Sequence, residues 1–243
     1  TKSRNIVSIN LLSKIGINKN INYLKKFGFN ANNMTHGLSL ALGSAEITPM
    51  ELATGYSVFA NGGYLIKPYL IEKILDGQGK TIYQNNHAQA CEKYPAGLEP
   101  LVFKNPCAEK KISDEIIYLI DSALKDTVKT GTARPARVLK RQDIAGKTGS
   151  TNDHKDAWFA GYNRDLVAIS WFGYDNNSSL NEYSVKASLP MWINFMKSVL
   201  PEIKERYYKR PKNIVSVKID SDTGNIADHK TQKSIFEHFV KDT

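Results

Sequence analysis

The sequence is short of the features that would mark a membrane span, a disulfide framework, a metal site or a repeat protein. No apolar run approaches the roughly 20 residues that cross a bilayer, and no signal peptide opens the chain. Cysteine occurs only twice, as Cys91 and Cys107, in a stretch rich in Pro, Asn and Lys. Two cysteines are consistent with free thiols in a reducing compartment, or with a staple across that stretch in an oxidising one. His36, His87, His154, His229 and His238 are scattered without the spacing of metal ligands, so neither a metal nor another cofactor is expected. Internal repeats and low-complexity runs are absent. Acidic residues are also scarce, 24 against 33 Lys and Arg, which leaves a net charge of +9. The excess is spread along the chain and favours anionic partners in general. A nucleic-acid binder would interleave aromatics with basic residues on one face, whereas these aromatics sit in core-patterned strands, so no nucleic acid is expected.

What is present suffices for a packed domain. The 243 residues, 41% of them hydrophobic, bound one α/β domain or one and a half ordinary ones. The chain opens on Thr1-Lys2-Ser3 with no initiator methionine and reads as a fragment from the C-terminal part of something longer. Apolar residues three and four apart over residues 6–15, stopped by Gly16, predict a helix, and residues 18–27, stopped by Gly28, a second. Thr48-Pro49-Met50-Glu51 has the form of a capping box and starts a helix that runs to about Ala60. Tyr64-Leu65-Ile66, Tyr69-Leu70-Ile71 and Ile74-Leu75 lead through a glycine-containing turn at residues 76–79 into Thr81-Ile82-Tyr83, a β-hairpin. Residues 84–111 read as a long connection. Ser113 is placed as the cap of a helix with the apolar face Ile116, Ile117, Leu119, Ile120, Ala123 and Leu124, ending near Lys129. Three strand candidates follow from Ile144 on, the last two joined by the short turn Asn163-Arg164-Asp165, and a helix from about Leu189 to Val199 is expected to cover the sheet. A hairpin at Asp222-Thr223-Gly224, flanked by residues 215–219 and Ile226, is expected in the basic tail.

The chemistry concentrates in Gly146-Lys147-Thr148-Gly149-Ser150. In extended backbone these residues offer one cation, two hydroxyl donors and a glycine that lets a ligand or another backbone approach closely. Lys147 and Gly149 face one way, Thr148 and Ser150 the other. Such a strand receives a carboxylate. Ser3-Arg4-Asn5 adds a second hydroxyl-and-amide element that is weak alone, because Ser-x-Asn is commonly a turn or helix cap. Two further matches are weighed and set aside. Ser122-Ala123-Leu124-Lys125 is formally S-x-x-K but lies inside an amphipathic helix, long after Ser3. Lys129-Thr130-Gly131-Thr132 is formally a second lysine-threonine-glycine but fits a helix end and a loop.

Lys2-Ser3-Arg4-Asn5, the segments 42–49, 59–64 and 146–153, and Asp156-Ala157-Trp158-Phe159-Ala160-Gly161-Tyr162 together resemble the transpeptidase domain of class A, bifunctional penicillin-binding proteins. The resemblance runs from Lys2 to the tail. It implies an α+β fold of the β-lactamase/transpeptidase kind, a central antiparallel sheet flanked by helices with a mostly helical second lobe, here without its N-terminal portion. Residues 1–205 would belong to that domain and 206–243 to a basic extension. It further implies a peptidoglycan D,D-transpeptidase on the periplasmic face of the bacterial inner membrane, anchored and preceded by a glycosyltransferase domain outside this chain. Its partners would be D-Ala-D-Ala stem peptides, β-lactams, the remainder of its own domain and regulators of cell-wall synthesis. Ser3 and Lys147 would be catalytic, with Asn5, Thr148, Gly149 and Ser150 binding substrate and the Ser150 N–H completing an oxyanion hole. The nucleophilic serine would lie outside this chain. The alternatives are a serine β-lactamase or D,D-carboxypeptidase, which use water as acceptor, and a non-catalytic penicillin-binding-like sensor or interaction module.

Overall fold

The computed structural model describes residues 3–91 and 105–241; Lys2 and the middle of the expected long connection, residues 92–104, lie outside the described residues. Helices α1 (Asn5–Ile15) and α2 (Ile17–Leu24) form the expected hairpin around Gly16, whose φ of 91° suits a residue without Cβ. The last turn predicted for the second helix tightens to 3₁₀ geometry over Lys25–Phe27 before left-handed Gly28. In α3 (Pro49–Ala60) the capping box is complete. The Thr48 N–H donates to Glu51 Oε2 at 2.8 Å, and the Glu51 N–H donates back to Thr48 Oγ1 at 3.2 Å.

β1 (Lys73–Leu75) and β2 (Thr81–Gln84) pair antiparallel, their turn fastened by Asp76 Oδ1, which accepts from the N–H groups of Gln78 and Lys80. The strand expectation fails upstream of Lys73. Tyr64 makes only an isolated bridge to Lys110, and Pro68, which has no N–H to give a ladder, interrupts the run. Cys91 and Cys107 are joined, their Cα atoms 5.4 Å apart. The Tyr64 hydroxyl donates to the Cys91 carbonyl at 2.7 Å, tying this staple to the domain.

The central sheet has the order β3-β4-β5, formed by β3 (Ala145–Ser150), β4 (Asp156–Tyr162) and β5 (Val167–Gly173), all antiparallel. The turn from β4 to β5 is held by Asn163, fully buried, whose Oδ1 accepts from the N–H groups of Asp165 and Leu166. Alternation along β4 sends Phe159 to one face and Tyr162 to the other. Phe159 meets Trp192 of α5 (Ser188–Val199) edge to face, centroids 4.9 Å apart, in a core with Ile144, Leu189 and Met196. Tyr162 packs with Tyr56 and Phe59 of α3 on the opposite face. The sheet is thus enclosed by helices on both sides, as an α+β fold of this kind requires.

Helix α4 (Asp114–Lys129) corrects the predicted apolar face. Ile116 and Ile120 are exposed, and the buried line is Ile117, Asp121, Thr127 and Val128. Asp121 is tolerated there because it pairs with Lys125 at 2.6 Å and accepts from the Tyr162 hydroxyl at 3.2 Å. Ser113 occupies the cap position, yet its hydroxyl makes no cap bond.

The tail folds as β6 (Ile214–Asp220) against β7 (Ser234–Val240). Ile226, expected to begin the return strand, makes only one bridge to Ile219. The Asp220 turn is indeed present, with Asp222 and Thr223 donating to its carboxylate, but a second turn follows at Asp228 and delays pairing until residue 234.

Candidate active site

β3 is the edge of its sheet, and its free side is where the candidate residues gather. Gly146, opposite Gly161 in the ladder, lets β3 and β4 approach at the strand's buried end. The Thr127 hydroxyl of α4 lies 2.5 Å from the Gly146 carbonyl and anchors that end to the helix. Lys147 follows. Its Nζ donates to Ser3 Oγ at 3.1 Å and to the Thr148 carbonyl at 2.6 Å. Burial pushes the ammonium below the ordinary lysine range.

Ser3 and Lys147 are 144 residues apart in sequence and meet in space. Ser3 has φ of 49°, unusual for serine, and is followed by Arg4, the cap residue of α1. Asn5 is the first residue of that helix and is exposed. Thr148 Oγ1 lies 2.9 Å from Thr132 Oγ1. Gly149 is open: a Cβ there would meet only Trp158 Cβ at 3.5 Å, so packing within the chain does not demand glycine. The Ser150 hydroxyl is 2.5 Å from Ser184 Oγ and also accepts from the Ser184 N–H at 3.2 Å. Because the Gly146 and Thr148 carbonyls both point away from β4, antiparallel alternation puts the Ser150 N–H on the same free edge.

All the candidate residues therefore lie on or beside one strand edge, with Asn5 two residues beyond Ser3. A half-buried cation, a hydroxyl in contact with it, a second hydroxyl and a free backbone N–H can bind an extended acidic chain terminus and move a proton beside it. Three site neighbours were not foreseen. Thr127, Thr132 and Ser184 read as ordinary helix or loop residues, and Thr132 belongs to the motif set aside as a helix end. That local reading is correct, since α4 ends at Lys129, but the loop brings a hydroxyl to Thr148. The formal S-x-x-K does not form a unit either, because Lys125 is paired with Asp121.

This strand edge, set beside Ser3-Arg4-Asn5, belongs to an α+β domain whose family the sequence comparison gives. Residues 1–189 match the penicillin binding protein transpeptidase domain family, and the chain belongs to that family. It is 39% identical over 98% of its length to penicillin-binding protein 1A of Pseudomonas aeruginosa, and 38% identical over 89% to penicillin-binding protein 1A of Neisseria meningitidis serogroup B. The crystal structure of penicillin-binding protein 1A from Haemophilus influenzae superposes with a TM-score of 0.88 at 35% identity, covering 100% of this chain and 39% of that one. The chain spans about a third of the Pseudomonas relative's length (33%) and 26% of the Neisseria one's. Among the described residues no helix is long and apolar enough to cross a membrane.

Proposed function

We propose that this chain supplies the proton-relay and substrate-strand half of a peptidoglycan D,D-transpeptidase site. The observation that carries the reading is the hydrogen bond from Lys147 Nζ to Ser3 Oγ, which sets a half-buried cation against a hydroxyl at the free edge of β3. A serine outside this chain would attack the carbonyl of the penultimate D-alanine. Its oxygen forms the acyl bond, the peptide C–N bond breaks, and D-alanine leaves with a proton passed through Ser3. An amine from a neighbouring stem peptide then attacks the acyl carbonyl, re-forms a peptide bond and releases the serine.

Each residue has a part fitted to its position. Lys147 supplies positive potential and holds Ser3 in the relay. Thr148 donates to the terminal carboxylate, and Asn5 hydrogen-bonds the acyl donor's backbone. Gly149 leaves room for the donor strand to lie against β3, which its lack of close neighbours supports. The Ser150 N–H faces the developing oxyanion, and a donor of this kind is typically worth about 3 kcal/mol in the transition state. β-Lactams, which present a strained amide beside a carboxylate, would acylate the same serine. By the same reading residues 1–205 complete the domain and 206–243 form an extension. The whole protein would be anchored in the inner membrane, with the domain in the periplasm and a glycosyltransferase upstream. Isolated, the chain would be inactive.

The test is partition of an acyl-enzyme. A full-length protein carrying this chain is given a D-Ala-D-Ala peptide or thioester donor with and without an amine acceptor. A transpeptidase yields the amide product in proportion to acceptor, and Ser3→Ala suppresses it. Release of the free acid alone, whatever the acceptor, contradicts the proposal in favour of a hydrolase.

A further inference from the structure

Of the three tryptophans, Trp192 lies in the core and donates its indole N–H to the Ala168 carbonyl, while Trp158 and Trp171 belong to none of the buried clusters among the described residues. The two face each other across β4 and β5, ring centroids 5.6 Å apart and planes 31° from parallel, with Trp158 half-buried and Trp171 43% exposed. Both are held in place. The Trp171 indole N–H donates to Asp156 Oδ1 at 2.9 Å. Gly173, paired with Asp156, supplies the room, because a Cβ there would lie 2.8 Å from that oxygen and 3.1 Å from the Trp171 ring. Two of the largest side chains are thus fixed outside the core, and exposed apolar surface of this kind marks a place where something binds.

The ladder relates these rings to the site. Residues directly opposite in an antiparallel pair share a face, and so do residues two apart along a strand. Gly149 pairs with Trp158 and Trp158 with Trp171, so Lys147, Gly149, Trp158, Trp171 and Asp156 all project from one face of the sheet. Tyr162 and α3 close that face at the other end of β4. The face of an indole carries negative potential, and the Asp156 carboxylate adds its charge beside Trp171. Lys147 repels a cation from the edge of β3 itself, whereas the shelf, about 5–10 Å inward at ordinary strand spacing, attracts one. The acceptor of the proposed reaction is an amine, an ammonium ion in neutral water, and it must come to the face where Lys147 holds Ser3.

We infer that Trp158, Trp171 and Asp156 form a docking shelf for the cationic amine of the acyl acceptor. The inference rests on the transpeptidase reading given above and concerns the acceptor, not the donor strand along β3. The shelf holds the ammonium form. One proton is lost to water, which frees the lone pair, and the neutral nitrogen then attacks the acyl carbonyl. The ester C–O bond to the serine breaks as the amide forms, and a second proton from the nitrogen passes to the departing serine oxygen.

The experiment gives the full-length protein a D-Ala-D-Ala thioester donor and measures acyl transfer against free acid as one of two acceptors is raised. Nα-acetyl-lysinamide is cationic at neutral pH, and hydroxylamine is uncharged there. Trp171→Leu should raise the lysinamide concentration at which transfer and hydrolysis are equal by about fivefold. Asp156→Asn, which keeps an oxygen for the indole N–H and removes the charge, should raise it in the same direction. Trp171→Phe, which keeps a ring, should raise it by no more than about twofold. The hydroxylamine curve and the rate of acylation by benzylpenicillin should stay within about twofold of wild type in all three. Equal shifts of both acceptor curves, an unchanged lysinamide curve in Trp171→Leu, a matching loss of benzylpenicillin acylation, or a wild-type protein that accepts hydroxylamine alone overturns the inference while the function proposal stands. A wild-type protein that releases only the free acid with either acceptor overturns both.

Discussion

The substitution Gly146→Ala tests how the site strand is set against the sheet. A Cβ at Gly146 would lie 2.7 Å from Phe159 Cζ, 2.8 Å from the Ala160 carbonyl oxygen and 3.1 Å from Gly161 Cα. None of these can withdraw at small cost. Phe159 is fully buried and wedged against Trp192, and the other two atoms are backbone of the paired strand. Restoring an ordinary 3.4 Å contact to the carbonyl means opening β3 from β4 by the shortfall, about 0.6 Å. Overpacking of this kind costs about 1–3 kcal/mol, against which alanine recovers about 0.4–1 kcal/mol through a less flexible unfolded chain. A net loss of about 1–2 kcal/mol in a domain of this size lowers Tm by about 2–8 °C. The neighbouring Lys147 is carried with the strand, and because catalysis can lose about a hundredfold for a 1 Å misplacement, acylation should fall about tenfold. Gly149→Ala is the control, since its Cβ meets only Trp158 Cβ at 3.5 Å. It should leave Tm within about 2 °C yet slow acylation, because the space it fills is on the substrate edge. Thermal melting and β-lactam acylation of the full-length variants give both quantities. A Gly146→Ala protein that melts with wild type, or a Gly149→Ala protein that unfolds more easily than Gly146→Ala, refutes the reasoning.

Thr48→Ala removes the reciprocal capping of α3 and should cost about 1 kcal/mol, read from denaturant midpoints, with no change in the pH dependence of acylation. Thiol titration of the denatured protein should find Cys91 and Cys107 unreactive until a reductant is added. Replacing both by serine should cost up to about 3 kcal/mol, the chain-entropy value for a loop of this length. Lys147 is needed as a cation and burial lowers its pKa, so the alkaline limb of the acylation profile should fall below the ordinary lysine range and move upward in Lys147→Arg. In that same window the unfolded chain binds the proton more tightly than the folded one, so this group's contribution to stability rises with pH while activity falls. At higher pH the sign reverses through Tyr56, partly buried and pushed up to about 12 by desolvation, because the unfolded chain then loses its phenolic proton first.

Much of the fold was legible where local chemistry and burial agree. The Thr48-Pro49-Met50-Glu51 cap, the Asn163 turn and the three strands from Ile144 on each carry their own signal, and each is found. Lys147 and Ser3 were legible because the motifs name them, and the fold brings the two motifs into contact. The failures share a physical cause: the deciding partner lies far away in sequence. Periodicity put Ile116 and Ile120 on the buried side of α4 because it counts Asp121 and Thr127 as polar. Besides their local partners Lys125 and Leu124, Asp121 is met by Tyr162, 41 residues on, and Thr127 by Gly146, 19 residues on. Ile226 looked like the return strand because nothing local shows that the Asp228 turn delays pairing. Ser184 carries no motif, and Thr132 only the one that fits a helix end and a loop. Their place beside Thr148 and Ser150 depends on how the loop after α4 and the loop before α5 close on β3. Helix α1 was recognised from its apolar spacing, yet Ile6, Val7 and Leu11 are exposed among the described residues, so spacing identified the helix without identifying what covers it.

The most direct test of the central claim is labelling with a fluorescent penicillin, followed by denaturing electrophoresis, of this chain alone and of the chain extended upstream through the first S-x-x-K. The account predicts that only the extended form is labelled and that Lys147→Ala or Ser3→Ala abolishes the label. Labelling of the short chain by itself would place the nucleophile within it, with Ser122 the first suspect, and an extended form that takes no label would make the domain a binding module and not an enzyme.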